Sequence, residues 1–264
     1  MNQDVKETIK NFHFLKDKIE PLLENYQCKG TYLQNYLYFT YTPTFNYTEA
    51  IIILCDNKKY NAASVLLRSI LEIHINIIYH QVEDSEKRLA IHAKNRFAQL
   101  RKIFSGVSNF IDKFPTYISS DDKNLFNKKY LKSALSKIES DLKNIESNNR
   151  LTHKDKELDL FQKSIKCDNA KIKGIREGHF EWLYNLIYRQ LSPSVHLDIL
   201  GIESFVYKNN DCKYITKEIN IDSIIIPYAI GICVALVKDL YENDILKGNI
   251  PSHINEIEKY LKSD

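Results

Sequence analysis

The sequence predicts an all-α protein, a helical bundle with one small β-hairpin near residues 204–216. Only 7 glycines and 6 prolines interrupt 264 residues, which favours long helices joined by few turns. Apolar residues recur at intervals of about three or four along most of the chain, the spacing that buries one side of a helix. With 44% hydrophobic and 27% charged residues, the chain has the composition of a globular protein with a sizeable core.

Four helices are expected in the first 104 residues. The apolar side of an amphipathic helix at 3–26 consists of Ile9, Phe12, Leu15, Ile19 and Leu22. A second helix is expected around 46–57. Residues 60–82 are apolar on nearly every side, which predicts a central helix. Ser85 is expected to cap a charged amphipathic helix that ends near residue 104.

The second half of the chain is more polar. Residues 119–149 are rich in Lys, Glu and Asn, with apolar residues at helical intervals, which predicts a long solvated helix or one arm of a helical hairpin. The remaining expected elements are a loop with a short helix at 150–174, a helix at 176–189, a β-hairpin around Asn209-Asn210-Asp211, a core helix at 221–242 and a terminal helix from Pro251-Ser252 to about Leu261.

The domain organisation predicted from this pattern is a single helical domain over residues 1–264. Neither an internal repeat nor a low-complexity linker divides the chain. Residues 1–45 would form an N-terminal helical extension and 46–242 the core, with 119–174 as a helical insertion in that core. Residues 243–264 would form the C-terminal helix.

Composition argues against several classes of protein. The net charge of +3, from 37 basic and 34 acidic residues, gives no strong overall attraction for nucleic acid, so any such site must come from local clustering. The 5 cysteines form no Cys-x-x-Cys pair, which predicts neither a zinc site nor a disulfide framework. We therefore expect no metal and no cofactor. The odd number of cysteines suits a reducing compartment, so we expect a cytoplasmic protein. The apolar run 224–237 is too short to span a bilayer, so no membrane partner is expected.

An arginine and a histidine flank a helix-breaking step at 188–196, Tyr-Arg-Gln-Leu-Ser-Pro-Ser-Val-His. Ser192 is expected to cap the helix that follows, so that one helix ends near Arg189 and His196 falls about one turn into the next. Arginine can form paired hydrogen bonds with phosphate, and histidine exchanges protons near neutral pH. Arg189 and His196 are therefore the candidate catalytic residues of a phosphodiester-cleaving site. The structural alternative is a hydrogen-bond network around Ser192 that only fixes the loop.

Candidate supporting residues lie on two of the expected helices. Arg68 and Glu72 are one turn apart on the most apolar helix, where a buried charge must be paired. They form either an internal salt bridge or a site with one partner in a cleft, because Arg before Glu is the weaker orientation for a local pair. Tyr184 and Tyr188 share one side of a helix, where they either stack on a nucleobase or pack in the core.

Two sequence elements resemble those of known families. The six-residue spacing between Arg189 and His196 resembles the Arg-x(4–6)-His signature of the HEPN superfamily of helical proteins. Upstream, residues 61–72 look like the "A-x(3)-L-R-S-x-x-E" segment of DUF5677-type bacterial proteins. The "Y-x-x-L-S-x-x-x-H" element of those proteins is matched by residues 188–196. The two elements occur in the expected order within residues 45–240.

The resemblance to HEPN proteins implies a metal-independent endoribonuclease of a phage-defence or toxin–antitoxin system. RNA would be the substrate, and a cognate antitoxin or defence-system protein a further partner. The resemblance also implies a HEPN-like bundle that forms a homodimer, whose composite site joins two copies of the motif. The residues implied to support Arg189 and His196 are Arg68, Glu72, Tyr188 and Ser192.

A second interpretation comes from the residue after the arginine. HEPN nucleases that are active usually carry Asn, Asp or His there, whereas this chain has Gln190. The alternative function is therefore a helical binding or regulatory module without catalysis, which takes RNA, a nucleotide or a partner protein.

Overall fold

The computed structural model describes residues 3–24, 26–27, 30–82, 84–114, 128–172, 175–189, 206–208, 214–216, 222–247 and 252–261. Most of these residues are helical, which confirms the all-α prediction. The α-helices are α1 Gln3–Leu23, α2 Tyr32–Asp56, α3 Tyr60–Gln81, α4 Ser85–Lys113, α5 Lys128–Asn148, α6 Leu160–Asn169, α7 His179–Trp182, α8 Asp222–Glu242 and α9 Ser252–Leu261. A π-helix, Leu183–Tyr188, follows α7 directly.

The chain divides into two compact units. The larger unit is built from Met1–Val82 and Asp159–Asp264, and the smaller one is the continuous segment Glu83–Leu158 between them. The smaller unit begins well before residue 119, the first residue of the predicted insertion. The prediction of one domain with an insertion at 119–174 stays a prediction.

The core of the larger unit lies between α2, α3 and α8, which pack against one another. Helices α1 and α9 pack on α8, whereas α6 and the π-helix pack on α3. Among the side chains with no more than 1% of their surface exposed are Phe45, Leu71, Ile75, Ile230 and Val237. As predicted, α3 is central, since all but a few of its residues from Ile70 to His80 are buried.

Helix α1 confirms the amphipathic prediction with one change of register. Phe12, Leu15 and Ile19 are fully buried. Leu22 is not, because 48% of its surface is exposed and the next residue, Leu23, takes the place in the core. The last step of the buried side, from Ile19 to Leu23, is therefore four residues instead of the predicted three.

Helix α2 begins at Tyr32, so the predicted start near residue 46 is wrong. Thr31 caps it by accepting a hydrogen bond from the backbone N–H of Gln34, whose side chain caps Thr31 in return. The threonine-rich stretch around Pro43 has a low helix propensity. Within the helix, however, the hydroxyls of Thr44 and Thr48 donate to carbonyl oxygens four residues earlier, at 2.7 and 2.9 Å.

In the smaller unit, α4 and α5 pack against each other. The apolar seam between helices includes Leu89, Ile111, Leu131 and Ile138, which are buried. Helix α4 extends to Lys113, beyond the predicted end near residue 104. Ser105 and Gly106 do not stop the helix, because a glycine in a helix interior costs only about 1 kcal/mol.

Two short strands pair antiparallel in the larger unit. They are β1 Val206–Lys208 and β2 Tyr214–Thr216, with Val206 opposite Thr216. The turn predicted at 209–211 lies outside the described residues, so the hairpin as a whole stays a prediction.

Two helices among the described residues are long and apolar enough to cross a membrane by length and composition. They are α3 and the Ser223–Glu242 part of α8, and 61% of the most apolar stretch of each is buried inside the protein. Core helices of soluble proteins share these properties, so the two helices are weak evidence for a membrane protein.

Candidate functional site

The π-helix leads to the arginine of the predicted motif. The chain enters α7 through Gly178, whose φ of 74° lies in the left-handed region that favours glycine. The N–H of Arg189 donates to the carbonyl oxygen of Tyr184, five residues earlier, where an α-helix would use the fourth. Such π turns are rare in proteins, and those that occur frequently lie at functional sites. The local backbone therefore marks this helix end as a candidate site.

The structure describes one of the two predicted catalytic residues. Arg189 is exposed directly after the π-helix. His196 and Ser192 lie in the segment 190–205, outside the described residues. The predicted pairing of Arg189 with His196 thus stays a prediction.

Three of the predicted supporting residues meet in one cluster. A guanidinium nitrogen of Arg68, Nη2, donates to the hydroxyl of Tyr188 at 2.8 Å. That hydroxyl lies 3.5 Å from a carboxylate oxygen of Glu72, to which it donates. The Arg68 guanidinium carbon also lies 4.5 Å from the centre of the Tyr188 ring. Arg68 and Glu72 are therefore bridged through Tyr188, and Glu72 is exposed.

The electrostatics of the cluster keep Tyr188 protonated and leave one donor unused. Burial, followed by the Glu72 carboxylate, raises the pKa of the Tyr188 hydroxyl above its ordinary value, although Arg68 lowers it. The Nε atom of Arg68 is buried and has no hydrogen-bond partner among the described residues. A buried donor without a partner is unfavourable, so a ligand that reached it would gain a hydrogen bond.

Aromatic rings continue from this cluster towards the surface. The rings of Tyr188 and Tyr184 are stacked, with centres 5.3 Å apart and planes 19° apart. Phe161 on α6 continues the row, its ring centre 5.2 Å from that of Tyr184. The prediction that Tyr184 and Tyr188 share one side of the helix is confirmed. Phe161 was not predicted, because a contact between residues this far apart leaves no local pattern.

The helix that carries these tyrosines is capped from α6. Both carboxylate oxygens of Asp168 accept backbone hydrogen bonds, from Phe180 at 3.0 Å and from Glu181 at 2.8 Å. A carboxylate at the start of a helix also interacts favourably with the positive end of the helix dipole. Asp168 thus fixes the direction in which α7 and the π-helix leave the α6 region, a role the sequence did not reveal.

Polar side chains are also buried between α3 and its neighbours. Lys163 on α6 is buried and donates to the side-chain oxygen of Asn76 at 2.7 Å. His74 lies against the fully buried ring of Phe180. Burial, helped by the nearby His179, lowers the pKa of His74 to about 4, so its ring is neutral at pH 7. These contacts tie α6 and α7 to the central helix below the site.

Among the described residues, no group of three or more His, Cys, Asp or Glu side chains is arranged to hold a metal ion. The functional groups that the described part of the site offers are guanidinium groups, a tyrosine hydroxyl, a carboxylate and aromatic rings. This set can bind an anion and a flat ring, and general acid–base chemistry would need a further residue.

Comparison with known families agrees with the two sequence elements. Residues 34–214 match the model of DUF5677, described as a family of unknown function. The chain belongs to the DUF5677 family. The matched region contains Arg68, Glu72, Tyr188 and Arg189, and thus the whole described cluster. No curated protein and no solved structure matches the chain.

Proposed function

We propose that this DUF5677 protein is a HEPN-type endoribonuclease that cleaves RNA without a metal ion, using Arg189 and His196. The observation that carries the proposal is the meeting of two sequence elements about 120 residues apart. Arg68 and Glu72 from the first element bind the hydroxyl of Tyr188 in the second, directly before Arg189. An arrangement that fixes the residue before an exposed arginine is what a phosphate-binding arginine needs.

In the proposed reaction, the 2′-hydroxyl of a ribose attacks the adjacent phosphorus. The new bond joins O2′ to phosphorus, and the bond from phosphorus to O5′ of the next nucleotide breaks. His196 takes the proton from the 2′-hydroxyl or gives one to the departing O5′. Arg189 stabilises the charge that builds up on the phosphate oxygens in the transition state. The products are a 2′,3′-cyclic phosphate and a 5′-hydroxyl.

The cluster of Arg68, Glu72 and Tyr188 acts as positioning machinery in this proposal. Tyr188 is held through its hydroxyl and its ring, so the end of the π-helix directly before Arg189 is fixed. Misplacing a catalytic group by about 1 Å lowers the reaction rate roughly a hundredfold. The cluster would support catalysis by preventing such a displacement of Arg189.

The biological setting of the proposal rests on the resemblance to HEPN proteins. A homodimer would provide two copies of His196, one for each proton transfer. A cytoplasmic phage-defence or toxin–antitoxin system, with a cognate antitoxin or defence-system partner, is the proposed context.

The test is RNA cleavage in the presence of EDTA. Wild-type, His196→Ala and Arg189→Ala proteins are incubated with total RNA and tRNA, and the ends of the fragments are determined. We expect cyclic-phosphate ends from the wild type and a rate at least 100-fold lower from His196→Ala, the usual size of general acid–base catalysis. His153→Ala, at an exposed histidine of the smaller unit, is the matched control and should cleave like the wild type.

Two results would contradict the nuclease proposal. Cleavage that persists in both His196→Ala and Arg189→Ala would assign it to another site or to a contaminant. Intact RNA after incubation with the wild type would favour the alternative, a binding or regulatory module, for which Gln190 is the sequence argument.

A further inference from the structure

The row of rings next to the cluster has the composition of a base-stacking surface. Phe161, Tyr184 and Tyr188 follow one another at centre distances of 5.2 and 5.3 Å. The guanidinium of Arg68 lies over the Tyr188 ring at the inner end. We refer to these three rings and Arg68 as the aromatic ladder. It joins elements α3, α6 and the π-helix of the larger unit.

The outer end of the ladder is open to solvent. Phe161 is 37% exposed, whereas Tyr184 and Tyr188 are half-buried. Phe161 lies in the first turn of α6, where Asp159 and Gln162 form a reciprocal capping box that holds the backbone. The backbone that carries the exposed ring is therefore already ordered, so binding of a ligand to this ring costs no further backbone entropy.

The charges around the ladder favour one class of ligand. Arg189 follows Tyr188 in the chain and is exposed, and Arg68 Nε is a buried donor without a partner among the described residues. Flat rings together with the two arginines match a molecule that combines an aromatic base with a phosphate. An apolar peptide would leave the guanidinium groups unused.

We propose that the aromatic ladder is a base-stacking subsite for single-stranded RNA, with a nucleobase stacked on Phe161 and the backbone phosphates directed towards Arg189. The inference rests on the proposed function, which it deepens by specifying the form of the substrate. Bases of a duplex are already stacked within it, so only an unpaired base reaches the ring of Phe161. Stacking tolerates every base, so little sequence preference is expected from this subsite.

The test uses a single-stranded RNA oligonucleotide that carries 2-aminopurine, whose fluorescence falls when the base stacks. Binding is measured with full-length His196→Ala protein, so that the RNA stays intact. We expect Phe161→Ala to raise the Kd about 5- to 100-fold, the range that stacking of one base gives. Phe161→Leu should do the same although it keeps an apolar side chain, and Phe161→Tyr should restore binding and quenching.

The matched control is Phe14→Ala, which removes a phenylalanine of similar exposure, 40%, from α1. It should bind the oligonucleotide with an unchanged Kd. Circular dichroism of each variant shows whether it is folded. Duplex RNA of the same sequence should compete poorly, whereas the unlabelled single strand should compete fully.

The outcomes separate this inference from the nuclease proposal. A Phe161→Ala or Phe161→Leu variant that binds and quenches like its parent would overturn the ladder, as would equal competition by duplex or no binding of the oligonucleotide at all. Phe161-dependent binding without cleavage by the wild type would retain the ladder and remove the nuclease. Cleavage that does not depend on Phe161 would retain the nuclease proposal and overturn the ladder.

Discussion

The ring and the hydroxyl of Tyr188 both make contacts with neighbouring side chains. The ring contacts both the ring of Tyr184 and the guanidinium of Arg68, while the hydroxyl accepts from Arg68 and donates to Glu72. Burial raises the pKa of the hydroxyl, which stays neutral and can act as donor and acceptor together. A phenylalanine would keep the stacking and lose both hydrogen bonds.

We therefore expect Tyr188→Phe to lower the free energy of unfolding by about 0.5–1.5 kcal/mol, the net contribution of a typical hydrogen bond. The loss arises mainly because Arg68, whose Nε already has no partner among the described residues, would lose the partner of its Nη2 as well. Urea unfolding followed by circular dichroism measures the change.

Tyr184→Phe is the control for this substitution. Its ring stacks in the same row, and its hydroxyl makes no hydrogen bond with any described residue. The free energy of unfolding should stay within about 0.5 kcal/mol of the wild type. Equal losses in the two variants would show that the Arg68 and Glu72 contacts of Tyr188 do not contribute to stability.

At the scale of elements, the α7 and π-helix segment is too short to be stable by itself, since isolated helices of fewer than about 12 residues are marginal in water. Asp168 compensates at its start by accepting two backbone hydrogen bonds. Asp168→Ala should lower the free energy of unfolding by about 1–2 kcal/mol, because a charged helix cap would be lost. Asp168→Asn should lose less, since one acceptor oxygen remains.

Urea unfolding of both variants and of Asp56→Ala measures this effect. Asp56 is an exposed aspartate in the last turn of α2 and serves as the control, with no loss expected. An Asp168→Ala protein as stable as the Asp56→Ala protein would mean that solvent caps the α7 backbone equally well.

The elements differ in how far the sequence alone could predict them. Helices α3 and α8 were predicted because their apolar residues are nearly continuous, so any packing arrangement buries them. The first half of α2 was missed because its threonines and Pro43 disfavour a helix locally, and only packing against α3 and α8 outweighs that preference.

The site shows the same limit. Arg68 and Glu72 were singled out because charges on an apolar helix require partners. Tyr188 was singled out because it belongs to the element that resembles DUF5677 proteins. Asp168 and Phe161 act on residues more than ten positions away, through contacts that no local spacing encodes. The π-helix was also missed, since its extra residue per turn shifts the side chains without a distinctive composition.

At the scale of the whole molecule, burial shifts the pKa values of two groups in the larger unit in opposite directions, upwards for Asp239 and downwards for His74. The Oδ2 atom of Asp239 on α8 is buried and has no hydrogen-bond partner among the described residues. Burial raises the pKa of Asp239 to about 7 from its ordinary value of 3.8, although the nearby Gln81 side chain lowers it. For His74, burial lowers the pKa from 6.5 to about 4. Burial also lowers the pKa of His179.

These shifts have opposite effects on stability between about pH 4 and 6.5. Folded Asp239 keeps a proton that the unfolded chain loses, so its contribution to stability falls as the pH rises. Folded His74 is neutral where the unfolded chain is protonated, so its contribution increases as the pH rises. Each slope is at most roughly 1.4 kcal/mol per pH unit. The two nearly cancel, which predicts a flat profile with a small rise from His179.

Asp239→Asn should remove one side of this balance, because asparagine resembles the protonated carboxyl group and does not titrate. The free energy of unfolding of the variant should then rise from pH 4 to 6.5, and its advantage over the wild type should grow up to about pH 7. Urea unfolding at several pH values measures both curves, with Asp56→Asn on the protein surface as the control that keeps the wild-type profile. Parallel curves for Asp239→Asn and the wild type would show that Asp239 is ionised in the folded protein, hydrated or paired, and that the histidines alone set its response to acid.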